Sequence, residues 1–381
     1  MTTKRPYLDF YEEMGSQLVS RVVGNQEEFL RTRSALYMLL GIVPGFVKGK
    51  RVLELGPGTG HNSLHTARLS PKEYVLVDGG EEILDVARER LSHLGNSSTK
   101  LEFVCSLFEN YEPDRQFDLV LAEACIPMQK DPATLLSQIA QHVKLGGVLV
   151  VTTISAVSYL SEILRRLGRD IVIPAHTPPN EQLEVLRPLY RTHLESLIGL
   201  GRSIDDWLLD NIVQPFDVEQ LLTIPQAINV LQDKFQILGS SPKFLTDWRW
   251  HKTMTNVSPS FNKQAIESYH SQNINLMDYR VQNLSHDIDT GMLLETECSK
   301  IWDQMIDLEN NRSSDWLRLW KDIENVRNLV GQCAPQLLPA VTEALEWLQS
   351  GARQKDLTDR QEFSHWWGRG QQYLSFVRYV N

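Results

Sequence analysis

The apolar positions of the chain follow two periods in turn. Over residues 7–48 they recur at helical spacing: Leu18, Val22 and Val23, then Phe29, Leu36 and Leu39-Leu40. From Arg51 the pattern changes to short apolar runs separated by helical stretches. The runs are Arg51–Leu55, Glu73–Val77, Leu101–Cys105, Phe117–Ala122 and Gly147–Thr153, with helices expected at about 60–70, 82–94 and 132–143. Strands that read as continuous apolar runs are buried on both faces. Helices between them therefore predict a parallel sheet in the doubly wound α/β plan.

After Thr153 the alternation stops. Residues 156–234 read as helical, punctuated by Pro174, Pro178-Pro179, Pro188 and Pro215, with Pro225 opening a helix over Gln226–Gln232. Two further strand candidates, Phe235–Leu238 and Phe244–Trp250, flank the turn-rich Gly239-Ser240-Ser241-Pro242 and read as a hairpin that closes the sheet. From Phe261 onward the period is helical only, with stripes Trp316, Leu319, Trp320, Ile323 and Leu337, Val341, Leu345, Leu348. The expected parts are a helical cap (1–48), a core (49–155), a helical lid insertion (156–234), a closing hairpin (235–258) and a helical C-terminal domain (259–381).

Composition adds three constraints. At 381 residues, 42% apolar and 23% charged, the chain is ordinary for a globular protein and excludes disorder or a collagen. All nine tryptophans lie from Trp207 onward, so the parts do different work. The net charge of −10 argues against a nucleic-acid backbone, whose affinity comes from lysine and arginine. The densest basic cluster, Arg165-Arg166 with Arg169, is interleaved with Glu162 and Asp170 and reads as a solvated helix face. Four cysteines without CxxC spacing read as buried reduced thiols. The first residues carry no signal-peptide pattern, and the longest apolar stretch, Ala35–Val47, is too short to span a membrane. A cytoplasmic protein with no membrane partner is expected.

The stretch that carries chemistry is Val52-Leu53-Glu54-Leu55-Gly56-Pro57-Gly58-Thr59-Gly60. It ends a strand and opens a helix, and its alternating glycines let the backbone turn sharply and approach a ligand. Asp78, at the end of the second strand, is placed to accept from both ribose hydroxyls of an adenosine. A dinucleotide fingerprint, G-x-G-x-x-G, would need a third glycine where His61 or Ser63 stands. Glu54, just before the loop, suits a cationic amino group.

Glu54-Leu55-Gly56-Pro57-Gly58-Thr59-Gly60 with Asp78 resembles the class I S-adenosylmethionine-dependent methyltransferases. The likeness covers residues 45–155 and, with the hairpin, the family's whole seven-stranded Rossmann-like sheet. It implies S-adenosylmethionine as cofactor. Glu54 would lie near its methionine part, with Gly56, Pro57 and Gly58 lining the loop. Asp78 would hold the ribose, with Gly79 beside it. Ser106, Leu107 and Phe108 would flank the adenine, and Glu123 would sit close to the transferable methyl group.

The acceptor is less legible. Ala122-Glu123-Ala124-Cys125-Ile126-Pro127 is not the Asn/Asp-Pro-Pro-Tyr/Phe motif of base-amine methylation. His61 and His65 share a helix face but lack carboxylate partners for a metal. Tyr7 and Tyr11 lie on a first helix able to fold over the cofactor. The lid supplies His193 as a general base, with Asp210 and Asn211, and Trp248 is placed to wall a pocket. The expectation is methyl transfer to an oxygen or nitrogen of a small molecule or peptide-derived metabolite, with homodimerisation through the aromatic C-terminal helices. The alternatives are an NAD-type oxidoreductase and a non-catalytic scaffold that binds the cofactor and docks a partner.

Overall fold

The computed structural model describes residues 10, 25–92, 94, 98–216, 220–254, 261–312, 315–354, 357 and 360–379. Asn25 accepts from the backbone N–H groups of Glu27 and Glu28 and caps α1 (Gln26–Leu39). There follow α2 (Pro44–Val47), β1 (Arg51–Leu55), α3 (His61–Arg68), β2 (Glu73–Asp78), α4 (Glu81–Ser92), β3 (Lys100–Cys105), β4 (Phe117–Ala122), α5 (Pro132–Ala140) and β5 (Val143–Thr153). Five helices or strands come next: α6 (Leu160–Val172), α7 (Pro179–Glu195), α8 (Ile204–Leu208), α9 (Ile224–Leu231) and β6 (Phe235–Ser241). The remainder is α10 (Phe261–His270), α11 (Ile288–Glu309), α12 (Trp316–Cys333), α13 (Leu338–Gln349), α14 (Gln361–His365) and β7 (Gln372–Arg378).

These elements form two compact units. The sheet unit is drawn from residues 19–154, 219–269 and 371–381, and the helical unit draws on 155–218 and 270–370. In the sheet unit the strand order is β3-β2-β1-β4-β5-β7-β6. β1 to β5 are parallel, and β7 runs antiparallel to both β5 and β6. Alternate residues of the central strands, Val52, Tyr74, Leu76, Leu119, Leu121, Val148 and Val150, face one way. They pack with Tyr37 of α1, Leu40 just after it, and Leu64 and Ala67 of α3. The five apolar runs read from the sequence are therefore the five parallel strands.

The closing hairpin is corrected. Its first arm is β6, but residues 244–250 form no strand, and Trp248 and Trp250 are exposed. The place beside β5 is taken by β7, from the region read as helical to its end. Gln372-Tyr373-Leu374-Ser375-Phe376-Val377-Arg378 is β-branched and aromatic and follows Gly368-Arg369-Gly370. The run Phe244–Trp250 puts aspartate and arginine between its aromatics and has no neighbouring strand edge to satisfy. The outer edge of β6 is met by a side chain, since Ile237 N–H donates to Asn262 Oδ1 (2.9 Å) and Asn262 Nδ2 donates to the Phe235 carbonyl (2.8 Å).

The helical unit joins what read as two separate additions, a lid and a C-terminal domain. Its centre also corrects the basic cluster: Arg165 and Arg166 are fully buried and Arg169 nearly so. Arg166 donates from Nε and an Nη nitrogen to the Glu309 carboxylate (2.6 and 2.7 Å), and Arg169 reaches the same carboxylate at 2.7 Å. Arg165 donates to the carbonyls of Ser161, Phe363 and Trp366 and stands 3.7 Å from the centre of the Trp367 ring. The cations are inside because one glutamate and several carbonyls satisfy them there. The four cysteines are free thiols, as expected, but Cys105 is exposed rather than buried. No described helix is long and apolar enough to cross a membrane.

Candidate active site

The loop after β1 turns at Gly56, where φ is +69°, and its N–H donates to the Val77 carbonyl (2.9 Å). A Cβ at Gly56 would stand 3.0 Å from Cys125 Cβ, beyond β4. Gly60, at φ +77°, starts α3 so close to α4 that a Cβ would lie 3.1 Å from Ala87 Cα. Both positions thus need glycine for conformation and for space. Pro57 is buried within the turn, and its carbonyl accepts from Gly60 N–H (3.0 Å).

Asp78 ends β2 beside this loop. Its carboxylate accepts from Gly80 N–H (3.2 Å) and, more loosely, from Gly58 N–H (3.4 Å). Burial raises its carboxyl above the usual range, and those N–H groups offset part of the rise. Ser106 N–H donates to the Asp78 carbonyl (2.9 Å), which brings the segment after β3 alongside. A Cβ at Gly79 would contact Leu107, and one at Gly56 would lie 3.5 Å from the Phe108 ring. Gly56, Gly58, Asp78, Gly79, Ser106, Leu107, Phe108 and Cys125 therefore gather at the C-terminal ends of β1 to β4. That is where an open parallel sheet binds ligands.

Behind the loop lies a buried polar cluster. Glu54 sits on the β1 face otherwise given to apolar residues and accepts from Tyr74 Oη. Burial pushes its carboxyl up to about 7, with the nearby charge of Glu123 adding to the rise. Glu123 receives both Nη groups of Arg33 (2.9 and 2.7 Å) and Asn62 Nδ2 (3.3 Å). Burial opposes the charge of Arg33, but Glu123 outweighs it and keeps the guanidinium protonated. Arg33 also stands 5.5 Å from the Tyr37 ring centre, and Tyr37 Oη meets Thr66 Oγ1 at 2.6 Å. Arg33 Nε and Asn62 Oδ1 are buried with no hydrogen-bond partner among the described residues. One open donor and one open acceptor flank the carboxylate that joins them.

Sequence reading missed Arg33. Its signal was an arginine four residues before Tyr37 on one helix face, and only the tertiary fold supplies Glu123 as its partner. The two histidines of α3 turn to different neighbours. His65 Nε2 meets Ser34 Oγ (3.0 Å), and its ring is held near pKa 4 by burial and by Arg33, whereas His61 Nδ1 meets Thr59 Oγ1 (3.0 Å).

The profile of the methyltransferase-domain family matches residues 46–184. This segment is a class I methyltransferase domain. Its cofactor is S-adenosylmethionine. The methyltransferase domain is 35% identical over 106 residues to a malonyl-[acyl-carrier protein] O-methyltransferase of a Marinomonas species, covering 27% of this chain and 38% of that one. It is 28% identical over 125 residues to a ubiquinone biosynthesis O-methyltransferase of Bradyrhizobium diazoefficiens, covering 33% and 47%. The chain thus spans less than half the length of these relatives. Among solved structures, an S-adenosylmethionine-dependent methyltransferase of Clostridium acetobutylicum is 22% identical with a TM-score of 0.30, covering 35% of this chain and 54% of that one.

The residues expected to meet the acceptor lie in several parts of the chain. Tyr7 and Tyr11 lie outside the described residues. His193 is buried in the helical unit, where Nδ1 accepts from Arg165 Nε (3.1 Å) and the ring stacks edge-on with Tyr190 and Phe363. Burial and the Arg165 charge hold it neutral, well below its usual range. Asp210 pairs with Arg202, and Asn211 Nδ2 donates to the Trp207 carbonyl (2.9 Å). Both belong to the helical unit's own framework. Trp248 is 93% exposed on the loop after β6 and walls no pocket.

Proposed function

We propose that the chain transfers the methyl group of S-adenosylmethionine to an oxygen or nitrogen of a small molecule or peptide-derived metabolite in the cytoplasm. The observation that carries this reading is the convergence of the Gly56–Gly60 turn, Asp78 and the Arg33–Glu123–Glu54 cluster at one end of the sheet. Bound there, the cofactor supplies a methyl group already activated by its sulfonium. The chain's residues then have binding, orienting and drying to do.

Asp78 is placed to accept from the ribose. Arg33 Nε and Asn62 Oδ1, the open donor and acceptor, suit a group with both carboxylate and ammonium ends. Arg33 balances Glu123, and a cation nearby would favour the ionised form of Glu54, whose carboxyl burial pushes up to about 7. Phe108 and Cys125 close the loop against water.

Calorimetry of the full chain with S-adenosylmethionine and with NAD tests the cofactor. Binding of NAD alone would restore the oxidoreductase alternative. Release of S-adenosylhomocysteine in the presence of one of a panel of hydroxyl, carboxyl and amine acceptors tests turnover. Tight cofactor binding with no turnover on any of them would favour the scaffold.

A further inference from the structure

The sheet unit carries an aromatic and basic prominence that the methyl-transfer site does not use. The loop after β6 is pinned at its stem. Phe244 is buried against Tyr269 (ring centres 6.2 Å apart), and Thr246 N–H donates to Ser268 Oγ (3.4 Å), which in turn donates to the Thr246 carbonyl (3.2 Å). Beyond that stem Trp248 is 93% exposed and Trp250 60% exposed. Arg249, between them, is held by Asp247 (2.6 Å) and lies 5.8 Å from the Phe261 ring. Lys252 Nζ stands 5.0 Å from the Trp250 ring, and Lys243 and His251 are exposed on the same loop. Among the described residues of this loop three cations, Lys243, Arg249 and Lys252, stand against one anion, Asp247, with Glu267 of α10 also acting on Arg249, in a chain whose net charge is −10.

The apolar surface continues from the loop. A groove of about 280 Å³ between β6, α10 and β7 is lined by Leu238, Leu245, Phe261 and Tyr379. Leu238 meets Gly41, next to exposed Leu39 and Met38 at the end of α1. Exposed tryptophans beside an apolar groove are the kind of surface that meets a partner.

We infer that this face seats the protein peripherally on a membrane surface bearing anionic headgroups. Indole rings settle at the headgroup level, where one end is apolar and the other wet, and neighbouring cations meet lipid phosphates. A protein hot spot is recessed and ringed by contacts that exclude water. Trp248 instead projects, with its stem fixed, as a residue that enters a soft interface does. Charge points the same way: a cationic tip on an acidic protein selects an anionic surface by its local field.

The test is co-sedimentation of the full chain, without cofactor or acceptor, with vesicles of phosphatidylcholine alone or with about 30% phosphatidylglycerol. Binding is expected only to the anionic vesicles and should fall at about 1 M salt. Trp248→Ala/Trp250→Ala should lower the bound fraction about tenfold. Lys243→Glu/Lys252→Glu should do the same through charge alone, and neither should move the melting temperature. The inference is overturned if the wild-type chain stays in the supernatant, if it binds both vesicles alike, or if the tryptophan variant binds as before. It is also overturned if light scattering finds a dimer that the tryptophan variant makes monomeric, since the face would then join two copies. Cofactor calorimetry reads none of these outcomes.

Discussion

Asp78 and Gly58 meet across the cofactor loop at 3.4 Å, long for a hydrogen bond, so the carboxylate has capacity left for a ligand. Asp78→Ala should weaken S-adenosylmethionine binding by about 1.5–3 kcal/mol, as for lost bonds to a charged acceptor. Unchanged affinity in calorimetry would remove Asp78 from the site. Arg33→Ala should destabilise the fold by about 3–5 kcal/mol, because it strands Glu123 as a buried charge. In denaturant titrations, adding Glu123→Gln should recover much of that loss. Strictly additive costs would mean the pair is not coupled.

Glu54 gives a pH signature. Its carboxyl titrates near 7 in the fold against an ordinary 4.5, so between those values the native state holds a proton that the unfolded chain releases. Its contribution to stability is therefore full below about pH 4.5 and is lost as pH rises through 7. Glu54→Gln stays neutral throughout. Without cofactor, its advantage over the wild type should open between pH 4.5 and 7 and level off at about 1–3 kcal/mol. A melting-temperature difference that stays flat with pH would contradict this.

At this scale the sequence was legible where chemistry is local. A glycine turn and an acidic residue after the next strand are spaced along the chain as they are used. Arg33 was not legible, because its role depends on a partner brought by β4. The surroundings of His193 were equally hidden, because its Nδ1 partner, Arg165, lies 28 residues away along the chain.

Among the elements, the parallel strands announced themselves as apolar runs, because burial on both faces leaves no polar alternation to confuse with a helix. β7 did not. Its seven residues follow a long helical stretch, and nothing local says that they pair with β5 and β6. Truncation distinguishes the two readings. A chain ended at residue 258 would retain the whole sheet if the hairpin existed. The observed order makes β7 an interior strand, so that shortened chain should be insoluble or fail to melt cooperatively. A soluble, cooperatively melting product that binds S-adenosylmethionine would show β7 to be dispensable.

For the whole molecule, the path of the chain matters more than any boundary. It leaves the sheet unit after Ile154, returns near Glu219, leaves again after Tyr269 and comes back at Gln371. Beside residues 1–18, the helical unit thus takes in two insertions, tied by α6 from the first and α11 from the second through Arg166, Arg169 and Glu309. Glu309→Gln should cost about 3–5 kcal/mol in urea unfolding, since two buried guanidiniums lose their shared counter-charge. A cost below about 1 kcal/mol would place those cations in water. The uneven spread of tryptophans hinted at this division. Charge counting along the sequence hid it, because neighbouring acids made Arg165, Arg166 and Arg169 look solvated.

The position of β7 in the sheet also sets a schedule. A ribosome delivers β5 and β6 early, then all the helices of the second insertion, and only afterwards the strand that joins them. At about 5–20 residues per second, that wait is on the order of ten seconds. Throughout it the nascent sheet leaves unmatched the edges of β5 and β6 that β7 pairs in the finished protein. Until translation catches up, those edges are open to pairing with another chain.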